Sequence, residues 1–206
     1  MIHINKSDIS GKFYEERYKD AEWYDEQYLI PAAEHYRGHY TQTHFHAAFV
    51  LLCLPISSEA KVLDIGCGPG QMGELLYDKG VRNYTGFDFS DKAIAIAKQK
   101  PTPEHIYHVA DARTTDLFET VDYDTVVCSE FLEHVIDDVG IFDKIKSGTN
   151  LHIGVPNSHG TSHVRCFPTR EDVYKRYGHM VANCKIEGYI FPNNTWTTWI
   201  MRGTKR

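Results

Sequence analysis

The sequence has no apolar run long enough to cross a bilayer. Its longest, AAFVLLCLP at 47–55, falls well short of the roughly 20 residues a spanning helix needs. It reads as the buried end of a helix, and no membrane partner is expected. The first residues, MIHINKSDIS, are polar and lack the apolar core behind Lys or Arg that marks a secretory signal. Cysteine is scarce. Cys53, Cys67, Cys128, Cys166 and Cys184 lie far apart with no C-x-x-C pair, which suits a reducing cytoplasm better than a disulfide framework or a zinc finger. Positive charge is also in short supply: 22 Lys and Arg stand against 28 Asp and Glu, for a net charge of −6. That balance argues against a large nucleic-acid footprint, although a small basic groove stays open. There are no repeats and no low-complexity tract. What remains is 206 residues of ordinary composition, 42% hydrophobic and 24% charged, enough for one α/β domain with a full core.

The composition shifts once, near Pro55–Ser58. Residues 1–55 are aromatic-rich and helix-like and read as an N-terminal helical segment. Residues 56–206 read as the core of the same compact domain. In that core, AKVLDIGC, NYTGFDFS, EHIYHVADA, YDTVVCSE and NLHIGVPN are strand-like. QMGELLYDKG, DKAIAIAKQK, FLEHVIDDVGIFDKIKSG and TREDVYKRYGH are helix-like, with Ser90 as a cap before the second of them. Strands separated by helices imply βαβ crossovers and a mostly parallel sheet with helices on both faces. CKIEGYIFP and TWTTWIMRGTKR have only a short connection and should close the sheet as an antiparallel hairpin. Ligands of such sheets sit beyond the carboxyl ends of the strands.

The first strand runs into VLDIGCGPG, residues 62–70. Glycines there permit positive φ and close approach of a ligand to the backbone. Gly66 and Gly68 fit the dinucleotide fingerprint G-x-G-x-x-G, but Gln71 takes the place of its third glycine. The spacing is G-x-G-x-G, with Asp64 two residues ahead of it. A carboxylate beside the turn disfavours a pyrophosphate and favours an ammonium or sulfonium. Asp88 closes the second strand about twenty residues on, where an acid can accept two ribose hydroxyls. Asp111 closes the third strand and could meet an exocyclic amine. The three acids suggest a ligand with a cation, a ribose and an adenine.

VLDIGCGPG, YTGFDFS, HVADAR and DTVVCSEFLEHV resemble, in order, the motifs of class I S-adenosylmethionine-dependent methyltransferases. The resemblance covers roughly residues 60–206 and, more loosely, the N-terminal helices. It implies a Rossmann-like seven-stranded methyltransferase sheet of order 3-2-1-4-5-7-6 with the seventh strand antiparallel. It implies S-adenosylmethionine as cofactor and S-adenosylhomocysteine as by-product. It also implies that the N-terminal helical segment 1–55 is a lid or cap. The glycine loop (Gly66, Cys67, Gly68, Gly70) would hold the methionine part, Asp88 the ribose hydroxyls and Asp111 the adenine amino group. Asp64 matches the acid of the first motif. Gln71, Phe89, Ala112 and Ser129 complete the cofactor-binding candidates.

The fourth strand leads into CSEFLEHV. Glu130, Glu133 and His134 stand at i, i+3 and i+4 and would share one helical face. Two carboxylates that close repel unless one takes a proton or a cation sits between them. After the fifth strand, VPNSHGTSHVRCF adds His159 and His163, with His163 the better candidate. E-x-x-E-H with a later His resembles two Mg²⁺-using methyltransferase groups, the ubiquinone-pathway catechol O-methyltransferases and the small-RNA 3′-terminal 2′-O-methyltransferases. That resemblance implies Mg²⁺ or Mn²⁺ on Glu130, Glu133, His134 and His163, lowering the pKa of the attacking hydroxyl. Two further readings stay open. The acids could cap a helix N-terminus or touch substrate, or His134 could be a direct general base.

His35 and His39, spaced i, i+4, find no third ligand nearby and read as a solvated face. Tyr14, Arg17, Tyr18 and Trp23 are lid candidates. Arg165 and Arg170 could meet an acidic acceptor. The expected reaction is transfer of the sulfonium methyl to a hydroxyl of a small molecule, with an RNA 2′-hydroxyl or an amine as alternatives. The rivals from other classes are an NAD-dependent oxidoreductase, which Gln71 counts against, and a cofactor-binding module without chemistry. Acceptor and oligomeric state are not legible, because acceptor pockets are built from variable loops.

Overall fold

Alternating apolar segments build a seven-stranded sheet of order β3-β2-β1-β4-β5-β7-β6 in the computed structural model. Residues 13–31, 34–192 and 196–206 are described. The N-terminal stretch MIHINKSDIS, part of the expected 1–55 cap and the His35 side chain lie outside the described residues. The strands are β1 (Val62–Ile65), β2 (Tyr84–Asp88), β3 (Ile106–Val109), β4 (Thr125–Ser129), β5 (Asn150–Pro156), β6 (Val181–Ile190) and β7 (Thr197–Lys205). The first five pair parallel, and β7 runs antiparallel to both β5 and β6, as the short final connection requires. The central strands are buried on both faces, which is why they read as apolar runs. Leu63 and Ile65 face one core cluster with Val126, Phe142 and Tyr177. Val62 faces the other, with Met72, Leu76, Ile94 and Val127.

The helices are α1 (Ala21–Leu29), α2 (Glu34–Arg37), α3 (His46–Cys53), α4 (Gln71–Asp78), α5 (Asp91–Ala97), α6 (Leu117–Thr120), α7 (Asp138–Lys144) and α8 (Arg170–Tyr177). Local chemistry sets their ends. Ser90 caps α5 by accepting the Ala93 N–H at 3.0 Å. Thr169 and Asp172 form a reciprocal capping box at α8. Gly80, at φ +92°, lets the chain leave α4. In α3, Ala48, Leu52 and Cys53 are buried, while Val50, Leu51 and the following Leu54 are exposed. The apolar run at 47–55 is therefore only half an inner surface. His39 does not continue α2; it heads a 3₁₀ turn at Tyr40–Gln42. No helix among the described residues is long and apolar enough to cross a membrane.

The helix expected over 131–148 is broken. A 3₁₀ turn at Leu132–His134 gives way to extended Val135, and α7 begins only at Asp138. Two side chains impose the break. Asp137 caps α7 by accepting the Gly140 N–H at 3.1 Å. The Arg165 guanidinium takes the carbonyls of Leu132, Val135 and Ile136, which a helix would have paired with its own N–H groups.

The N-terminal helices dock over the carboxyl ends of the strands. Asp25 accepts the Ser90 hydroxyl at 2.5 Å and the Lys92 N–H at 3.1 Å, tying α1 to α5. Lys100, ion-paired with Glu74 at 2.9 Å, donates to the carbonyls of Arg37 and Gly38 at the end of α2. Tyr14 N–H donates to the Val164 carbonyl at 2.7 Å, and Phe13 bridges to Arg165.

Candidate active site

Between these helices and the strand ends lies a cavity of about 1000 Å³. Ligand pockets run to roughly that size at their upper limit, so there is room for a cofactor and an acceptor together. At one end stand Asp88, Phe89, Asp111, Ala112 and Arg113; at the other, Glu130, His134, His163 and Thr198. Tyr18 and Trp23 from the N-terminal segment also line it, and Tyr14 packs edge-on against the lining residue His159 with ring centroids 5.3 Å apart.

The glycine turn lies under the cavity. Gly66, Gly68 and Gly70 have φ of +70°, +51° and +80°, the left-handed region that only glycine enters freely. A Cβ at Gly66 would run into the Phe131 ring, and one at Gly68 would lie 3.3 Å from the Tyr28 hydroxyl. Asp88 closes β2 and accepts the N–H groups of Gly68 at 3.1 Å and Ser90 at 2.9 Å. Burial pushes its carboxyl up to about 6 despite those donors, and nearby Asp25 adds to the rise. Asp111, two residues past β3, is gripped by Arg113 at 2.6–3.0 Å, which holds its carboxyl below the usual range.

Some candidates do not reach the cavity. Asp64 is buried and accepts the Tyr84 hydroxyl at 2.6 Å beneath the turn. Burial raises its carboxyl to about 7, and it is not among the lining residues. It offers no open carboxylate beside the turn. Cys67 is buried and packs towards Gly86. Gln71 donates to the Gly38 carbonyl at 3.0 Å, a contact to the N-terminal helices. Gly68, Gly70 and Ser129 do not line the cavity, and Glu133, fully buried, stands behind the lining residues Glu130 and His134. Arg165 is buried among backbone carbonyls, out of an acceptor's reach, and Arg170 is exposed beside Glu171.

Glu130, Glu133 and His134 do not share an α-helical face, because only a short 3₁₀ turn, Leu132–His134, forms there. Glu130 instead takes φ +52°, and its N–H donates to the Gly154 carbonyl of β5 at 3.0 Å. This left-handed step is uncommon outside glycine and is held by the sheet. It still brings acids and imidazoles together. Ligand atoms of Glu133, His134 and His163 lie within 4.8 Å of one another. Glu130 stands next to this cluster rather than in it, with its Oε1 accepting the Thr198 hydroxyl at 3.2 Å. Neither Glu133 oxygen meets a donor in hydrogen-bonding geometry among the described residues. His134 Nε2 lies 3.6 Å away, and the Glu130 carboxyl and His163 are further neighbours. Burial pushes both carboxyls up; the Glu130 charge raises Glu133 further, while side-chain hydrogen bonds with Thr198 and Glu133 hold Glu130 back.

Both histidines are oriented by carbonyls. His134 Nδ1 lies 3.1 Å from the Ser162 carbonyl and His163 Nδ1 2.9 Å from that of Ser158. A carbonyl only accepts, so each Nδ1 carries the proton and each Nε2 keeps its lone pair. The rings meet edge to face at 4.8 Å. Burial, with the other imidazole as a further cause, holds His134 well below the ordinary imidazole range. A neutral histidine with Nδ1–H on a carbonyl and Nε2 facing a carboxylate is how a metal ligand is oriented. Sequence reasoning missed Thr198, Tyr28 and Phe131. Only their tertiary neighbours single them out.

The chain matches a family model described as a methyltransferase domain over residues 34–195. It is similar to the ubiquinone biosynthesis O-methyltransferase of Aromatoleum aromaticum, with 38% identity over 80 residues, 37% of this chain and 34% of that protein. The corresponding protein of Xylella fastidiosa is 30% identical over 111 residues, 50% of this chain and 44% of that one. The chain thus spans less than half the length of these curated relatives. In fold it is similar to the magnesium protoporphyrin IX methyltransferase of Synechocystis, solved with SAM bound. The TM-score there is 0.62 at 16% identity, over 91% of this chain and 98% of that one. With most of its length matched and the sheet in this order, the chain belongs to the methyltransferase-domain family, among the class I S-adenosylmethionine-dependent methyltransferases.

Proposed function

We propose that the chain transfers the methyl group of S-adenosylmethionine to a hydroxyl of a small molecule, with Mg²⁺ or Mn²⁺ held by Glu133, His134 and His163 and flanked by Glu130. The observation that carries the metal reading is the buried Glu133 carboxyl, beside the Glu130 carboxyl and without a donor in hydrogen-bonding geometry among the described residues, with ligand atoms of His134 and His163 within 4.8 Å. A buried carboxylate without a donor is costly unless a proton or cation meets it. The donor set is two nitrogens and hard oxygens, which suits such an ion. At the other end, a buried carboxylate facing the cavity, Asp88, beside a left-handed glycine turn fits an adenosyl ligand without phosphates.

On this reading Asp88 accepts the ribose hydroxyls, while Phe89, Asp111 and Ala112 border the adenine. Gly66, the residue of the turn that lines the cavity, lets the methionine part approach the backbone. The described part of the N-terminal segment, with Tyr18 and Trp23 on the cavity, serves as the lid that excludes water. S-adenosylmethionine supplies a methyl group on a positively charged sulfur, open to displacement by an aligned oxygen. A divalent cation supplies the charge that makes a neighbouring hydroxyl a better nucleophile near neutral pH. Thr198 orients Glu130. Phe131 and Tyr28 border the glycine turn, where they shape the space left for the methionine part. His134 as a lone base is the weaker reading, since burial disfavours its protonated form. The small-molecule acceptor follows from the acidic charge balance, and the ubiquinone O-methyltransferases support the hydroxyl.

The test is transfer of labelled methyl from S-adenosylmethionine to a panel of small vicinal diols, amines and a short RNA, in EDTA and then in Mn²⁺. The proposal expects a diol to be methylated only with Mn²⁺, and Glu133→Ala to abolish the transfer. Equal transfer in EDTA would overturn the metal role. Transfer to amines or RNA alone would overturn the acceptor class.

A further inference from the structure

Arg165 is nearly fully buried, at 1% exposure, yet faces neither solvent nor the cavity. Its Nη1 donates to the carbonyls of Leu132, at 2.7 Å, and Val135. Its Nη2 donates to the Ile136 carbonyl at 2.9 Å and lies 3.2 Å from Asp138. The backbone at the same position acts in parallel. The N–H groups of Val164 and Arg165 both donate to the Glu133 carbonyl, at 2.8 and 3.3 Å. The Ser162 carbonyl, three residues earlier, takes His134 Nδ1. One strap, residues 162–165, therefore fixes the carbonyls of residues 132, 133, 135 and 136 and the His134 ring. Those carbonyls belong to the turn that carries Glu133 and His134.

We infer that Arg165 is a positioning residue whose guanidinium pins the Leu132–Ile136 turn and so holds Glu133 and His134 in the arrangement that grips a divalent cation. The inference rests on the metal reading above. A planar fork with several donors can span three carbonyls that diverge around a non-helical turn; the ammonium of lysine is a compact point donor and cannot reproduce that span. Asp138 is the nearest counter-charge, shared with Arg176, and Glu133 adds a weaker attraction, so the guanidinium also steadies the Glu133 charge. Phe13 and Tyr14 pair with residues 165 and 164, so the N-terminal segment leans on the same strap.

The experiment compares the full chain with Arg165→Lys and Arg165→Met. Mn²⁺ binding is followed by electron paramagnetic resonance, S-adenosylhomocysteine binding by calorimetry, and His134 by its ¹⁵N shifts. Both variants should lose about tenfold or more in Mn²⁺ affinity, the scale of an outer-shell defect. Affinity for S-adenosylhomocysteine should stay within about twofold, because the Asp88 end is not touched by the strap. A general loss of packing would weaken both ligands alike and would overturn the inference. Unchanged Mn²⁺ affinity in folded Arg165→Met would overturn it as well. If the wild-type chain binds no Mn²⁺, the metal reading itself fails. The positioning claim is then decided by the ¹⁵N shifts. A mixed His134 tautomer in Arg165→Met upholds it, and an unchanged Nδ1–H tautomer refutes it.

Discussion

Replacing Asp138 by Asn removes one negative charge at nearly constant volume from a site with no exposure. Asp138 meets three partners. Arg176 donates twice, at 2.6 and 2.5 Å, the Tyr177 hydroxyl donates at 2.5 Å, and Arg165 lies at 3.2 Å. The guanidiniums are 1% and 6% exposed, so water cannot replace the lost anion. The cluster already holds two cations against one anion, and the variant leaves both cations without their buried partner. Breaking a buried ion pair on one side costs about 3–5 kcal/mol. Asn still accepts one or two of the hydrogen bonds, which places the expected loss towards the lower end. For a chain of this length about 1 kcal/mol shifts the midpoint by roughly 2–4 °C, so the midpoint should fall by roughly 6–12 °C. Urea and thermal unfolding of the two proteins measure this. Mn²⁺ affinity should fall as well, because Asp138 anchors the guanidinium that pins the turn carrying Glu133. A stability loss under about 1 kcal/mol would refute the reasoning, since exposed pairs are worth no more than that.

Three further outcomes follow from the same geometry. Asp88, raised to about 6, offers two ionised acceptor oxygens only above that pH. S-adenosylhomocysteine affinity should therefore decline as pH falls below about 6, by at most about tenfold per unit. Asp88→Asn should bind weakly with no such pH dependence; calorimetry at a series of pH values checks both. Gly66→Ala forces a Cβ into the left-handed region, at about 1–2 kcal/mol, and into the Phe131 ring. Both the unfolding midpoint and S-adenosylhomocysteine affinity should drop; unchanged values would show that the turn relaxes freely. Thr198→Val deletes the hydroxyl on Glu130 while keeping the shape. Mn²⁺ affinity should fall about tenfold, with a stability loss of about 1–3 kcal/mol from the carboxyl left without its donor, and an unchanged affinity would remove Thr198 from the site.

The sheet was legible because its signals are local. β-rich segments, the Ser90 cap, the stop at Gly80 and the short final connection each act within a few residues. The strand order itself came from the family resemblance. What the sequence did not reveal is non-local. Nothing in FLEHVIDDVG says that a guanidinium thirty residues later will take the carbonyls of a would-be helix. A buried arginine reads like an exposed one, so Arg165 looked like a contact for an acidic acceptor. Asp64 looked like an open carboxylate at the turn because Tyr84, on the neighbouring strand, is not visible from position 64. The acids and histidines after β4 and β5 were legible as residue types. Their helical spacing was the wrong reason for grouping them: a left-handed step at Glu130 and the strap at 162–165 bring Glu133, His134 and His163 together instead.

On the proposed function an adenosyl ligand and a divalent cation share one cavity, the cation at the β4 end and the adenine at the β3 end. Proton NMR of S-adenosylhomocysteine with the chain and trace Mn²⁺ measures this directly, since a paramagnetic ion broadens the nearest protons most. The account predicts strong broadening of the homocysteine methylene signals, weaker broadening of the adenine protons, and loss of both in Glu133→Ala. Broadening strongest at the adenine, or none while S-adenosylhomocysteine is bound, would contradict it.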